Sequence, residues 1–233
     1  MLKSFLTPKS LWSYNPLPTG CRLYLPLWHP NLHGAKFKSV DPFGHECTRT
    51  GGVMDGHGIT MDGNDKIQLP DNAFDSLSIG SIGIWFRIDD TATDDVLFAL
   101  GNSAGATPYF FIKIDSAEKL DIEFQATFVA LTNNAALSTT AFTRMIWAVT
   151  ATGNALYING SAVTPDYGSG DATNSDFFSD LAGTTDKYAI GVLDRSVPYG
   201  YSNGQIGEVS IWDYGVTAEQ AAYDFSVSKR LFV

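Results

Sequence analysis

The densest run of chemically capable side chains is Lys119-Leu-Asp121-Ile-Glu123-Phe. On an extended chain neighbours face opposite ways, so Lys119, Asp121 and Glu123 share one face and Leu120, Ile122 and Phe124 the other. Two carboxylates about 5–5.5 Å apart can serve as nucleophile and acid/base on a glycosidic bond. The same triplet also reads as a solvated sheet face of mixed charge. A second cluster is Asp62-Gly-Asn64-Asp65, three oxygen-bearing side chains on one tight turn. Calcium takes such oxygens from loops, and Asp and Asn in turns also bond their own backbone. The third cluster is aromatic: Tyr199, Tyr201 and Asn203 in the run 195–203, and Tyr167 near Asp166 and Asp171. Rings stack on the apolar faces of sugars while polar neighbours fix the hydroxyls. Equally, these tyrosines can pack on their own loop or on a second subunit.

Other reactive residues carry less. All four histidines lie between positions 29 and 57. His29 and His33 have the i, i+4 spacing of helical metal ligands, but Pro30 and Gly34 oppose a helix there. A zinc set of His29, His45 and Cys47 is the remaining arrangement. No G-x-S-x-G elbow occurs. Cys21 and Cys47 are the only cysteines. Two in a chain of this length make no disulfide framework, so they either pair across neighbouring strands or stay as buried thiols.

The elements that must position these groups are strands. Apolar residues make up 44% of the 233 and charged ones 17%, enough for a large core in one all-β domain. With 22 Gly, 10 Pro, 15 Phe and 10 Tyr, the composition favours strands and turns over helices. Apolar runs predict strands at 22–28, 58–61, 66–69, 77–88, 96–100, 109–115, 120–125, 144–150, 155–159, 187–191 and 205–214. Turn residues separate them, including Asp62-Gly-Asn64, Thr152-Gly-Asn154 and the hairpin signal Asn159-Gly160. One helix is predicted at 217–225, capped by Thr217 with Gln220 three residues on and Glu219 in its first turn. The stretch 165–185 reads as a long polar loop, and residues 1–20 as an aromatic, proline-broken arm ahead of a domain at 21–233.

Several of these pieces together resemble a known family. Gly58-Ile-Thr-Met-Asp-Gly-Asn-Asp-Lys-Ile is similar to its strand-turn-strand, and Ile82-Gly-Ile-Trp85-Phe-Arg-Ile-Asp to its tryptophan strand. Trp147-Ala-Val-Thr with Leu156-Tyr-Ile-Asn-Gly160 matches its next hairpin. Gln205-Ile-Gly-Glu-Val-Ser-Ile-Trp-Asp followed by Thr217-Ala-Glu-Gln matches its last strand and helix. The chain thus resembles a laminin-G-like domain of the concanavalin A-like lectin/glucanase group across roughly residues 20–226. The resemblance implies an all-β jelly-roll sandwich of two antiparallel sheets with one short C-terminal helix. Trp85, Trp147 and Trp212 are then expected to fill the space between the sheets. It also implies a structural calcium ion on Asp62, Asn64 and Asp65, with Glu208 from the last strand as a further ligand. Glucanases of this fold carry Glu-x-Asp-x-Glu on one strand; here Lys119 takes the first place, which removes the nucleophile.

Function follows less directly, because one fold hosts many activities. A net charge of −10 and the lack of any Lys/Arg run oppose binding to nucleic acid or an anionic membrane. No span of about 20 apolar residues occurs, and residues 1–20 lack the apolar core of about 7–15 residues found in secretory signals. These features predict a binding or coating protein and no enzyme. The first expectation is a virion surface component, such as a bacteriophage capsid decoration, head-fibre or tail protein, assembled in the host cytoplasm. Phe5, Trp12 and Tyr14 would then contact other virion proteins or further copies of the chain. The alternative is an extracellular carbohydrate-binding lectin, and a glycoside hydrolase is the third reading.

Overall fold

Short alternating runs joined by residues that accept positive φ leave the chain little choice but to fold back on itself as antiparallel strands. In the computed structural model, residues 10–89, 93–125, 129–133 and 135–232 are described. The first strands are β1 (Cys21–Pro26), β2 (Lys36–Lys38), β3 (Glu46–Thr50), β4 (Val53–Asp55), β5 (Gly58–Asp62) and β6 (Lys66–Gln68). Then come β7 (Gly80–Ile88), β8 (Asp95–Gly101), β9 (Phe110–Ile114), β10 (Leu120–Phe124), β11 (Val129–Thr132) and β12 (Thr143–Thr150). The set closes with β13 (Gly153–Ile158), β14 (Ser161–Val163), β15 (Asp166–Ser169), β16 (Lys187–Ile190), β17 (Asn203–Trp212) and one helix, α1 (Ala218–Ser228).

They form two antiparallel sheets. The first runs β14-β13-β12-β7-β17-β5-β4, with β1 also paired to β17; the second runs β15-β11-β10-β9-β8-β16-β6-β3-β2. Asn159 and Gly160, at φ 51° and 76°, turn β13 into β14, as their pairing in sequence predicts. Between the sheets Ile82, Ile84, Phe86, Trp147, Val209 and Ile211 meet Phe98, Phe110, Ile112, Ile122, Phe124 and Tyr188. The predicted loop at 165–185 is partly ordered otherwise: it contains β15 and a 3-10 turn, Phe178–Leu181. Its Phe177, Phe178 and Leu181 plug the same core with no exposed surface.

The centre of the first sheet is buried on both faces. Strands β7, β12 and β17 are buried almost without a break, rather than at alternate residues. Only Trp147 of the three tryptophans lies between the sheets, stacked on Phe110 at 5.3 Å. Trp85 and Trp212 are fully buried on the outer face, which corrects the expectation for them. Trp85 stacks on Phe225 of α1 and Phe232 beyond it, at 5.6 and 4.6 Å, and its indole N–H donates to Ser228 Oγ. Trp212 donates to the Leu17 carbonyl at 2.8 Å. Residues 10–20 are thus fastened along the sandwich. Trp12 meets Tyr24 and Tyr14 meets Trp28 edge to face.

Beneath α1 lies a charged cluster with essentially no exposed surface. Arg144 donates to Asp224 from Nε at 2.8 Å and from Nη2 at 3.3 Å. Its Nη1 stands 3.5 Å from Glu208 Oε1, and Tyr24 donates its hydroxyl to Glu208 Oε2 at 3.1 Å. One guanidinium therefore serves two carboxylates from different elements, with α1 tied to β12 through Asp224. The helix is oriented by its predicted cap: Gln220 N–H donates to Thr217 Oγ1, and Thr217 N–H to Gln220 Oε1.

Burial, which Arg144 opposes and Asp224 reinforces, pushes the Glu208 carboxyl from 4.5 up to about 7. The folded state therefore binds more protons than the unfolded one between those values, and this group's contribution to stability falls as pH rises through that window. Urea denaturation of wild type and Glu208→Gln at pH 5 and pH 8 checks this. Wild type is expected to lose stability relative to the variant on going to pH 8; a constant difference between the two would refute it.

Candidate functional site

The outer face of the second sheet is built differently, and chemistry collects there. On β9 alternation sends Phe110, Ile112 and Ile114 into the core, leaving Tyr109, Phe111 and Lys113 outward. On β10 the same rule leaves Asp121 and Glu123 outward, as the sequence predicts. The register places Asp121 opposite Lys113 and Glu123 opposite Phe111. Tyr109 and Phe111 stack at 5.4 Å, and Tyr109 donates its hydroxyl to Glu123 Oε1 at 2.8 Å.

The chain between β16 and β17 folds over part of this floor as a flap. A bridge joins Leu193 to Tyr199, and Leu193 packs with Val96, Ala99 and Phe111. Tyr199 donates its hydroxyl to Asp94, whose Oδ2 also receives the Lys113 ammonium at 2.7 Å. Lys113 stands 3.6 Å from Asp121, and its charge lies over the rings of Phe111 and Tyr199 at 5.1 and 5.7 Å. The Arg195 guanidinium is 5.5 Å from both the Tyr109 and Tyr199 ring centres and donates to the carbonyls of Val197 and Ala106. Beside the flap a cleft of about 540 Å³ is lined by Gly63, Thr93, Asp94, Tyr199, Gly200, Tyr201 and Asn203.

Burial disfavours charge on Lys113, but the Asp94 carboxylate outweighs it and holds the amine above its ordinary range. Asp94 is correspondingly held low against its own burial. Burial raises Asp121 despite Lys113, and the phenol of Tyr109 is pushed up to about 12 by burial and by Glu123. Asp121 and Glu123 are therefore both engaged, one by an ammonium and one by a phenol. The cation that meets Asp121 is Lys113 from the facing strand, not Lys119 from its own.

Three of the four expected sugar-facing residues come together: Tyr199, Tyr201 and Asn203 line one cleft. Tyr167 does not join them. It sits on β15, packs against the inter-sheet core and donates its hydroxyl to Asn154 Oδ1 at 2.9 Å. The expected calcium ligands also part company. Asp62, Asn64 and Asp65 do share one turn, where Asp65 Oδ2 accepts from Asp62 N–H and the carboxyl of Asp62 is raised by Asp65. With its nitrogen turned inward, the Asn64 amide bridges both carboxylates at 3.1 and 3.0 Å. Glu208 lies five residues beyond Asn203, the partner of Asp62, or about 17 Å along the strand. It is engaged under α1, so the four residues do not form one site. Among the described residues no group of three or more His, Cys, Asp or Glu side chains is placed to hold a metal. His45 Nε2 bonds the Arg22 carbonyl, while Cys47 is a free thiol in the core like Cys21 in the outer-face cluster, each pushed up to about 12 by burial. Of the expected contact residues, Phe5 lies outside the described residues, and Trp12 and Tyr14 are spent on the chain's own Tyr24 and Trp28.

Sequence reasoning missed Tyr109, Lys113, Asp94 and Arg195. Alternation along 109–115 was the available signal for the first two; the meeting with a flap some 86 residues away was not. Lys113→Met is expected to cost about 1–3 kcal/mol, because it leaves Asp94 and Asp121 partly buried without their cation. Adding Asp121→Asn should restore part of the loss, as measured by urea denaturation. Strict additivity of the two changes would show that the pair is not coupled.

No curated protein matches the sequence. Among solved structures, the leech intramolecular trans-sialidase complexed with 2,7-anhydro-Neu5Ac superposes with a TM-score of 0.58 at 18% identity, over 70% of this chain and 27% of that one. This chain thus spans about a quarter of the length of that enzyme. The Ruminococcus gnavus IT-sialidase CBM40 bound to α2,3-sialyllactose superposes with a TM-score of 0.59 at 16% identity, over 77% of this chain and 97% of that one. The Trypanosoma rangeli sialidase gives a TM-score of 0.66 at 10% identity, over 92% and 34%. At such identities these likenesses establish a shared fold. Residues 61–222 match the model of the Laminin_G_3 family, described as the concanavalin A-like lectin/glucanases superfamily, and the chain belongs to that family.

Proposed function

We propose that this protein is a carbohydrate-binding module that holds a glycan on the outer face of the second sheet, against the Tyr199 flap. The observation that carries the reading is the juxtaposition of accessible rings with fixed polar groups around one open cleft. Tyr199 and Tyr201 offer ring surface, and Asp94, Asn203 and the floor residues Asp121 and Glu123 offer acceptors for hydroxyls. The R. gnavus domain, matched over nearly its whole length, is recorded with sialyllactose bound, which supports binding as the task of a domain this size. Binding rather than turnover is supported by Lys119, which stands where glucanases of this fold carry the first Glu of Glu-x-Asp-x-Glu.

The expectation of a virion component drew on residues 1–20 as a free anchor. Residues 10–20 instead cover the outer face of the first sheet, with Leu17 buried and its carbonyl held by Trp212. They lend that reading no support.

A glycan array probed with the full chain is expected to give hits that Tyr199→Ala or Tyr201→Ala weakens by about tenfold, the scale of one lost stacking contact. The same panel incubated with the protein is expected to release no reducing sugar. An array blank at high protein concentration, with correctly folded material by circular dichroism, would sink the proposal.

A further inference from the structure

The arrangement of charge on this face says something about which sugars it takes. We infer that the cleft and the adjoining floor are built for an uncharged saccharide and turn acidic ones away; this rests on the carbohydrate-binding reading above. The carboxylate of Asp94 lines the cleft and those of Asp121 and Glu123 lie on the adjoining floor, beside the cations Lys113 and Arg195. Lys113 is fully committed to protein partners, and Arg195 is committed in part. Lys113 is held by Asp94 at 2.7 Å, by the Tyr199 hydroxyl at 3.4 Å and by Asp121 at 3.6 Å, so its ammonium points into protein partners on three sides. Arg195 donates Nε to Val197 and Nη1 to Ala106, and its plane rests near two phenol rings. It props the flap.

An acidic sugar needs the opposite: a guanidinium or ammonium whose donors are open for bidentate or charge-assisted bonds to the ligand carboxylate. Here its carboxylate would approach like charges while the two cations beside the flap, Lys113 and Arg195, already have protein partners, and rejection by repulsion is how binding sites commonly discriminate. A neutral sugar meets the reverse situation. Its hydroxyls donate, and Glu123, which accepts one phenol, and Asp121, which meets one ammonium at 3.6 Å and the Thr132 hydroxyl at 3.5 Å, still have lone pairs to accept them. The chain's net charge of −10 acts in the same direction at longer range.

The test pairs neutral oligosaccharides with counterparts carrying a uronic or sialic acid, at low and at moderate salt, on the full chain. Neutral members are expected to bind at least about tenfold more tightly than their acidic partners. That gap should narrow as salt rises and in the Asp121→Asn variant. Tyr201→Ala, which leaves the charge cluster intact, should weaken binding without changing the ratio. Acidic members bound as well as neutral ones or better, through Tyr199 or Tyr201, would overturn the inference while leaving carbohydrate binding in place. A panel blank in both halves would sink both together.

Discussion

A sheet that is apolar on one face needs one partner layer; a sheet that is apolar on both needs two. The first sheet of this protein is of the second kind. Its inner face meets the second sheet, and its outer face carries Trp85, Trp212, Tyr24 and the charged side chains of Arg144 and Glu208. Leaving those indoles in water would forfeit the burial of some of the largest side chains in the chain, and leaving Arg144 in a dry layer without Asp224 would strand a charge. Helix α1, the segment after it and residues 10–20 exist in their observed places because that face must be covered. The guanidinium of Arg144 is the pivot, since among the described residues it alone joins the sheet to the helix by charge.

The asymmetry is what makes the second sheet's outer face the place for the proposed ligand. With the centre of the first sheet enclosed on both sides, the second sheet's outer face carries a flap of chain across β8 and β9. Hydrophobic packing of Leu193 and Phe111 holds the flap down at one point, and the Lys113–Asp94–Tyr199 chain of polar contacts holds it at another. What lies beyond its edge is a rim of rings and carboxylates. Asp121 and Glu123, the carboxylates that look most like catalytic machinery, also help to fix the floor through Lys113 and Tyr109.

Much of this was legible from residue order, and the failures have physical causes. Leu120 to Phe124 reads as a half-wet strand because its alternation is unbroken, and it is one. The Asn159-Gly160 hairpin and the Thr217 cap follow from local chemistry that tertiary structure did not override. Strands of three residues, such as Lys36–Lys38 and Ser161–Val163, are too short to show a period. The continuous burial of β7, β12 and β17 hides which residue faces which layer, so Trp85 and Trp212 were assigned to the wrong side of their sheet. Glu208 looks like an exposed acidic ligand until Arg144 and Tyr24 are seen around it. Tyr199, Tyr201 and Asn203 stood out as aromatic and amide residues in one loop, whereas Lys113 and Arg195 matter through contacts between distant parts of the chain that no local pattern encodes.

The pairing of β1 with β17 has a practical corollary. Tyr24 lies beside Ser210 and Leu25 beside Val209, and both Trp12 and Phe232 rest on the same covered face. Residues near either end of the described chain therefore emerge on the side of the sandwich away from the flap. A linker, label or solid support attached beside residue 10 or residue 232 would point the rim outward, so several copies fixed to one surface could engage a branched polymer together, with avidity set by their spacing.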